Sequence, residues 1–316
     1  MGYKPLVDAD ELSFGTAWHY AMEVWYDPDN PRDQDRTLLE FTKLIRQQDI
    51  KAQEYGYDFD LQETEALGTG MLTYFFEWSA FNDDFVAAKL EQEFEVPILD
   101  PLGYPARCTS LRPCGQDSPY PHNWVFQGRA DAIFQREDGS YWIGEHKTAK
   151  NETDWQWHVM EPQTLRYMWA LRHSLGIDIH GVIRTEALKR YPQPPAKLKR
   201  EGYSVDKRQA TTTKLFLQTL QADNIPLEGK YLDYLYFLQS PEAPTFIRRE
   251  YVDFNVDQME EAGDNLYRIA CDMIDSPRIY PNPTFMCKRC AFFVPCLVRQ
   301  ERGDYKYALE TGYRNA

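Results

Sequence analysis

Asp131, Glu145 and Lys147 are charged side chains set in a stretch otherwise built from strand formers. The run from Tyr141 to Lys147 opens with Tyr141, Trp142 and Ile143, the mark of a buried strand, and then carries Glu145 and Lys147. Side chains two apart share one face of a strand, so these two charges lie side by side. Val125 to Arg136 reads as the partner strand, joined by Glu137-Asp138-Gly139 as a three-residue turn with Gly139 in the left-handed conformation. That register pairs Arg136 with Ser140 and sets Asp131 opposite Glu145, with Cβ atoms roughly 4.5–5.5 Å apart. Two carboxylates that close repel each other unless a cation sits between them. A two-residue turn would instead send them to opposite faces. The competing reading is a solvent-facing strand pair with an ordinary Glu–Lys contact.

The elements that must position these residues alternate between helix and strand. Phe14, Ala17, Trp18, Ala21 and Trp25 recur at helical spacing and predict a helix over 12–26. Further helices are expected over 37–54, 63–80, 161–176, about 208–222 and 256–274, and strands over 93–99, 179–188 and 245–254. Residues 100–123 read as a long loop or elaborated hairpin tip, and the tail after Gly303 as loose. The pattern is α/β with no clean linker, which predicts a single domain over 1–316. Its hydrophobic content of 43% and aromatic content of 15% supply a packed core. There is no run of 18 apolar residues and no basic-then-apolar leader, which predicts a cytoplasmic protein without membrane contact.

The net charge of −14 argues against a chain that coats nucleic acid with its whole surface. The charge is uneven, however. Arg184 to Lys214 holds nine Lys or Arg and three acids, a local +6 that leaves −20 for the remainder. This island either guides a polyanion locally or is a solvated loop face.

Asp131 followed by Glu145-x-Lys147 resembles the active site of the PD-(D/E)XK nuclease superfamily. "FQGRADAIF" and "WIGEHKTAK" are most similar to its RecB-like branch, which includes CRISPR-associated nucleases and phage exonucleases. In that branch a GxxxH helix precedes the hairpin, and here Gly15 leads to His19; a QxxxY helix follows, and here Gln163 leads to Tyr167. The resemblance spans about residues 12–300. It implies a restriction-endonuclease-like core, a central mixed β-sheet flanked by helices. It also implies that Asp131, Glu145, His19 and the backbone carbonyl of His146 hold Mg²⁺ or Mn²⁺. Lys147 would orient or activate the attacking water or stabilise developing charge, while Gln163 and Tyr167 position DNA or active-site groups. The basic insert, residues 186–214, resembles segments of phage relatives, with Lys197, Lys199 and Arg200 as candidate phosphate contacts.

Six cysteines occur, and nothing suggests secretion, so metal binding takes precedence over disulfides. Cys287, Cys290 and Cys296 form a compact trio in a Cys-rich C-terminal element, residues 281–300. In RecB-like nucleases with a [4Fe–4S] cluster, such a trio joins one upstream Cys before the GxxxH helix, a position without Cys here. Cys108, Cys114 or Cys271 would supply the fourth ligand, or the cluster is absent or replaced by zinc; of these Cys271, inside a predicted amphipathic helix, reads as structural. The reading is a metal-dependent DNA nuclease, an exonuclease rather than a structure-selective endonuclease, with recombination or replication proteins as partners. From another class, a DNA-binding or assembly subunit fits the same motifs. Oligomeric state and cleavage polarity are not encoded in any motif.

Overall fold

The computed structural model describes residues 3–5, 10–54, 59–107, 123–153, 162–199, 201–275, 287, 290 and 292–315. In chain order these form β1 (Tyr3–Pro5), α1 (Asp10–Trp25), α2 (Gln34–Glu54), α3 (Leu61–Asn82) and β2 (Phe85–Pro97). The hairpin β3 (Val125–Arg136) and β4 (Tyr141–Ala149) follows, then α4 (Pro162–Leu175) and β5 (Ile179–Leu188). Next come α5 (Thr213–Ala222), α6 (Lys230–Leu238), β6 (Ile247–Asp253) and α7 (Val256–Asp275). The chain closes with α8 (Phe293–Gln300), α9 (Tyr305–Gly312) and β7 (Tyr313–Asn315).

The sheet runs β2-β3-β4-β5-β6. Only β4 and β5 are parallel, and α4 is the crossover such a pair requires. Both faces are covered, which is why the strand centres read as unbroken apolar pairs. Phe134, Trp142 and Ile183 pack against Trp18, Trp25, Phe41 and Phe75 of α1, α2 and α3. Their neighbours Ile133, Ile143 and Val182 pack on the opposite side against Trp169, Leu171, Met259 and Leu266 of α4 and α7.

The turn chemistry sets the hairpin register as expected. Gly139 has φ of +84°, its N–H donates to the Arg136 carbonyl at 2.9 Å, and Arg136 N–H donates to the Ser140 carbonyl at 3.0 Å. The ladder continues through Gln135↔Tyr141 to Ala132↔Gly144, one step short of Asp131 and Glu145.

Between β5 and β6, residues 189–246 build a small lobe around Phe216, Tyr203, Tyr231 and Tyr234. Its helix α5 starts at Thr213 rather than near 208, because the Thr212 hydroxyl caps it by accepting from Leu215 N–H at 3.3 Å. Strand β2 begins well before residue 93, its polar run Lys89 to Glu93 having hidden the period. Residues 304–315, expected to be loose, form a helix and a short strand. Asp304 caps α9 by accepting from the Lys306 and Tyr307 N–H groups, and β7 pairs with β1.

Candidate active site

The hairpin strands part company where the charged residues begin. Beyond Ala132↔Gly144, β3 stays with β2 as far as Pro97↔Val125, while β4 stays with β5 as far as Ala149↔Leu188. Asp131 and Glu145 are the first residues past this fork. A frayed backbone group is partly compensated there: His146 N–H points at Asp131 Oδ2 across 3.5 Å.

One wall of the fork is α1. His19 Nδ1 lies 3.1 Å from Asp131 Oδ2, and a cleft of about 630 Å³ runs past Gly15, His19, Glu23, Glu91, Arg129, Asp131 and Lys147. The other wall is α4. There Gln163 Nε2 donates to Tyr167 Oη at 3.0 Å, the two residues being one helical turn apart, and Tyr167 packs edge-on against Phe94. A narrow pocket links both residues with Asp131, Glu145 and Lys147. A larger cleft of about 790 Å³ between α3 and the lobe is lined in part by the basic insert, through Tyr191, Pro192 and Thr211 to Lys214, but by none of the nuclease-motif residues.

Electrostatics divide the roles. Burial works to raise the Asp131 pKa, but the His19 hydrogen bond and the nearby His19, His146 and Lys147 outweigh it and hold the carboxyl below its ordinary value. Burial disfavours the Lys147 ammonium, yet Glu145, 2.8 Å away, and Asp131 outweigh it and raise its pKa. Lys147 is therefore a charged donor. The His146 ring is the reverse case. It is buried, stacks on Tyr26 with centroids 5.5 Å apart, and burial lowers its pKa to about 3, so it is neutral and faces away from the fork.

Four further residues belong to the site. Arg184 Nη1 lies 3.0 Å from Glu145 Oε2. Glu91, at φ +45°, occupies the position between Leu90↔Ala132 and Gln92↔Ala130, beside Asp131, and accepts from Arg129 Nε at 2.7 Å. Burial raises the pKa of both Glu91 and Glu23, opposed by Arg129. Glu23 lies one turn beyond His19 on α1, a spacing that points to it from sequence.

The donors fit a hard divalent cation in kind: two carboxylates, one of them kept ionised, and an imidazole nitrogen at one fork. Among the described residues, no group of three or more His, Cys, Asp and Glu side chains is disposed to hold a metal. Glu145 is turned onto Lys147 and Arg184.

The remaining predicted residues that the structure describes are not brought to the fork. Lys197 pairs with Asp223 at 3.0 Å and lies over the Tyr203 ring, Lys199 is exposed, and Arg200 lies outside the described residues. Cys287 is half-buried and Cys290 and Cys296 are exposed; Phe292 N–H donates to Cys290 Sγ at 3.4 Å. Cys108 and Cys114 lie outside the described residues. Cys271 packs against the α4–α7 core.

A five-stranded mixed sheet flanked by helices, with carboxylates and a lysine at a strand fork, defines a restriction-endonuclease-like nuclease fold. The family model of the PD-(D/E)XK nuclease superfamily matches residues 2–296, and the chain belongs to that superfamily. No curated protein matches the chain. No helix among the described residues is long and apolar enough to cross a membrane.

Proposed function

We propose that the chain is a divalent-metal-dependent deoxyribonuclease of the RecB-like branch and phage type. On this reading it is an exonuclease that serves recombination and DNA processing in the cytoplasm of a bacterial or phage-infected cell. The observation that carries the reading is the fork itself, where Asp131, Glu145, Lys147 and His19 meet between the α1 cleft and the Gln163–Tyr167 pair. Asp131, Glu145 and His19, with the His146 backbone carbonyl, are the residues to hold Mg²⁺ or Mn²⁺. Such an ion lowers the pKa of bound water and neutralises phosphoryl oxygens.

Lys147, protonated, donates to the water or to a phosphoryl oxygen rather than removing a proton. Tyr167 and Gln163, already bonded to each other, line the narrow pocket and position the strand. The branch assignment rests on the order Gly15…His19, hairpin, Gln163…Tyr167. Lys197, Lys199 and Arg200 are proposed as phosphate contacts on the way in. The cysteine trio is proposed as thiolate ligands of a [4Fe–4S] cluster, with zinc as the alternative; the Phe292 N–H to Cys290 sulfur bond is the kind that supports a thiolate. A brown protein supports iron, and a colourless, zinc-positive one supports zinc.

Digestion of end-labelled linear DNA and a covalently closed circle with Mn²⁺ tests the activity. Loss of the linear DNA alone supports an exonuclease. Cutting of the circle makes the chain an endonuclease with the same site. Retardation of both, intact, overturns the enzymatic reading in favour of a binding subunit.

A further inference from the structure

Glu145 carries one cation on each carboxylate oxygen. Lys147 Nζ lies 2.8 Å from Oε1, and Arg184 Nη1 lies 3.0 Å from Oε2. The parallel register places Arg184 directly beside Glu145 across β4 and β5. The two cations sit at different depths: the Arg184 side chain is 10% exposed and that of Lys147 37%. They also differ in kind. An ammonium on a flexible stem exchanges partners readily, whereas a guanidinium never loses its charge and holds a carboxylate in a fixed planar fork.

We propose that Arg184 is the positioning residue for the metal-holding carboxylate. It stays on Oε2 and fixes the rotamer of Glu145. Only Oε1 then changes partner, between Lys147 and a divalent cation. This inference rests on the nuclease reading above and deepens it. A half-buried carboxylate whose sole counter-charge was Lys147 would be left uncompensated when Lys147 moved away. With Arg184 in place, Lys147 is free to turn to water or phosphate while Glu145 keeps a counter-charge.

The positioning role and a merely electrostatic one predict opposite signs. A cation beside a metal site repels the incoming ion, so removing a passive charge tightens metal binding. Removing a residue that aims a ligand weakens metal binding, typically by about 10- to 100-fold.

The test is Mn²⁺ binding to the full chain without DNA, read from the electron paramagnetic resonance of the free ion. Melting curves in chelator accompany each variant. Arg184→Met is expected to weaken Mn²⁺ binding about tenfold or more, and Arg184→Lys, which keeps the charge but loses the fork, to recover part of it. Unchanged or tighter Mn²⁺ binding in an Arg184→Met protein that melts cooperatively overturns the proposal and leaves the nuclease reading standing. If Arg184→Met does not fold, Arg184→Lys decides: severalfold weaker binding supports the role, and wild-type affinity overturns it. A wild-type chain that neither binds Mn²⁺ nor cleaves DNA overturns both.

Discussion

The fork between β3 and β4 and the lobe at residues 189–246 are both dense in charge and use it in opposite ways. In the lobe the cations are matched singly at the surface: Lys197 with Asp223, Arg208 with Asp206, and Lys214 with Glu77 across to α3. Lys207 and Lys230 lie over aromatic rings. Exposed pairs of this kind add little to stability and are screened by salt, so the lobe is held by its aromatic centre. At the fork, Asp131, Glu145, Glu91 and Glu23 face Lys147, Arg184 and Arg129 with two clefts opening onto them. Half-buried charges that converge on a cleft in this way are the kind of arrangement that motivates the proposed site. The basic count that drew attention to the lobe is thus a weaker guide than depth and convergence.

The largest effect expected from this contrast is on catalysis. Asp131→Asn should reduce cleavage by about 10³-fold or more, since it removes a metal-holding charge, and leave the melting temperature within a few degrees. Asp223→Asn, an acid lost from the lobe, should leave cleavage within about twofold. Equal losses in the two variants, measured as initial rates on linear DNA, would erase the distinction.

Acid stability separates the regions next. His146 is neutral in the fold because burial lowers its pKa from 6.5 to about 3. The unfolded chain takes up this proton below about pH 6.5, so the contribution to stability is full above that pH and is lost as pH falls towards 3. In chelator, His146→Phe should flatten the melting temperature across this window, an effect on the order of a few kcal/mol at its acid end. Asp206, lowered to about 2 by Arg208 but half-exposed in a surface ion pair, should leave the same limb unmoved when replaced by Ala. An unchanged acid limb in His146→Phe would contradict the burial argument.

A smaller effect bears on the lobe itself. Replacing Lys197, Lys199 and Arg200 with Ala should weaken DNA binding and flatten its salt dependence. Lys197 is already neutralised by Asp223, so the slope should change by no more than about two phosphates' worth, at roughly 0.9 each. An unchanged slope in a binding titration across salt would make the segment a solvated loop. The smallest effect is at Gly15, where an added Cβ meets nothing within 4 Å. Gly15→Ala should raise stability by about 0.5–1 kcal/mol; any loss of cleavage would then report a substrate passing along the cleft it lines.

What was legible in the chain divides along physical lines. The hairpin was readable because Gly139 dictates one turn and the turn dictates every pairing above it. The wall of α1 was readable because an apolar stripe that includes Trp18 and Trp25 has one period. Arg184 was not, because its place beside Glu145 depends on a parallel register set after a helical crossover, and no local residue specifies that offset. Glu91 was hidden in the polar run of a strand paired only with β3. Helix α6, nine residues rich in tyrosine and leucine, carries no period strong enough to separate it from a strand.

The most direct test of the central claim compares purified wild type, Glu145→Ala and Lys147→Ala on linear DNA with Mn²⁺. Each protein is first shown to melt cooperatively. The fork predicts chelator-sensitive cleavage by the wild type and none by either variant. Full activity in either variant would contradict the assignment of the site.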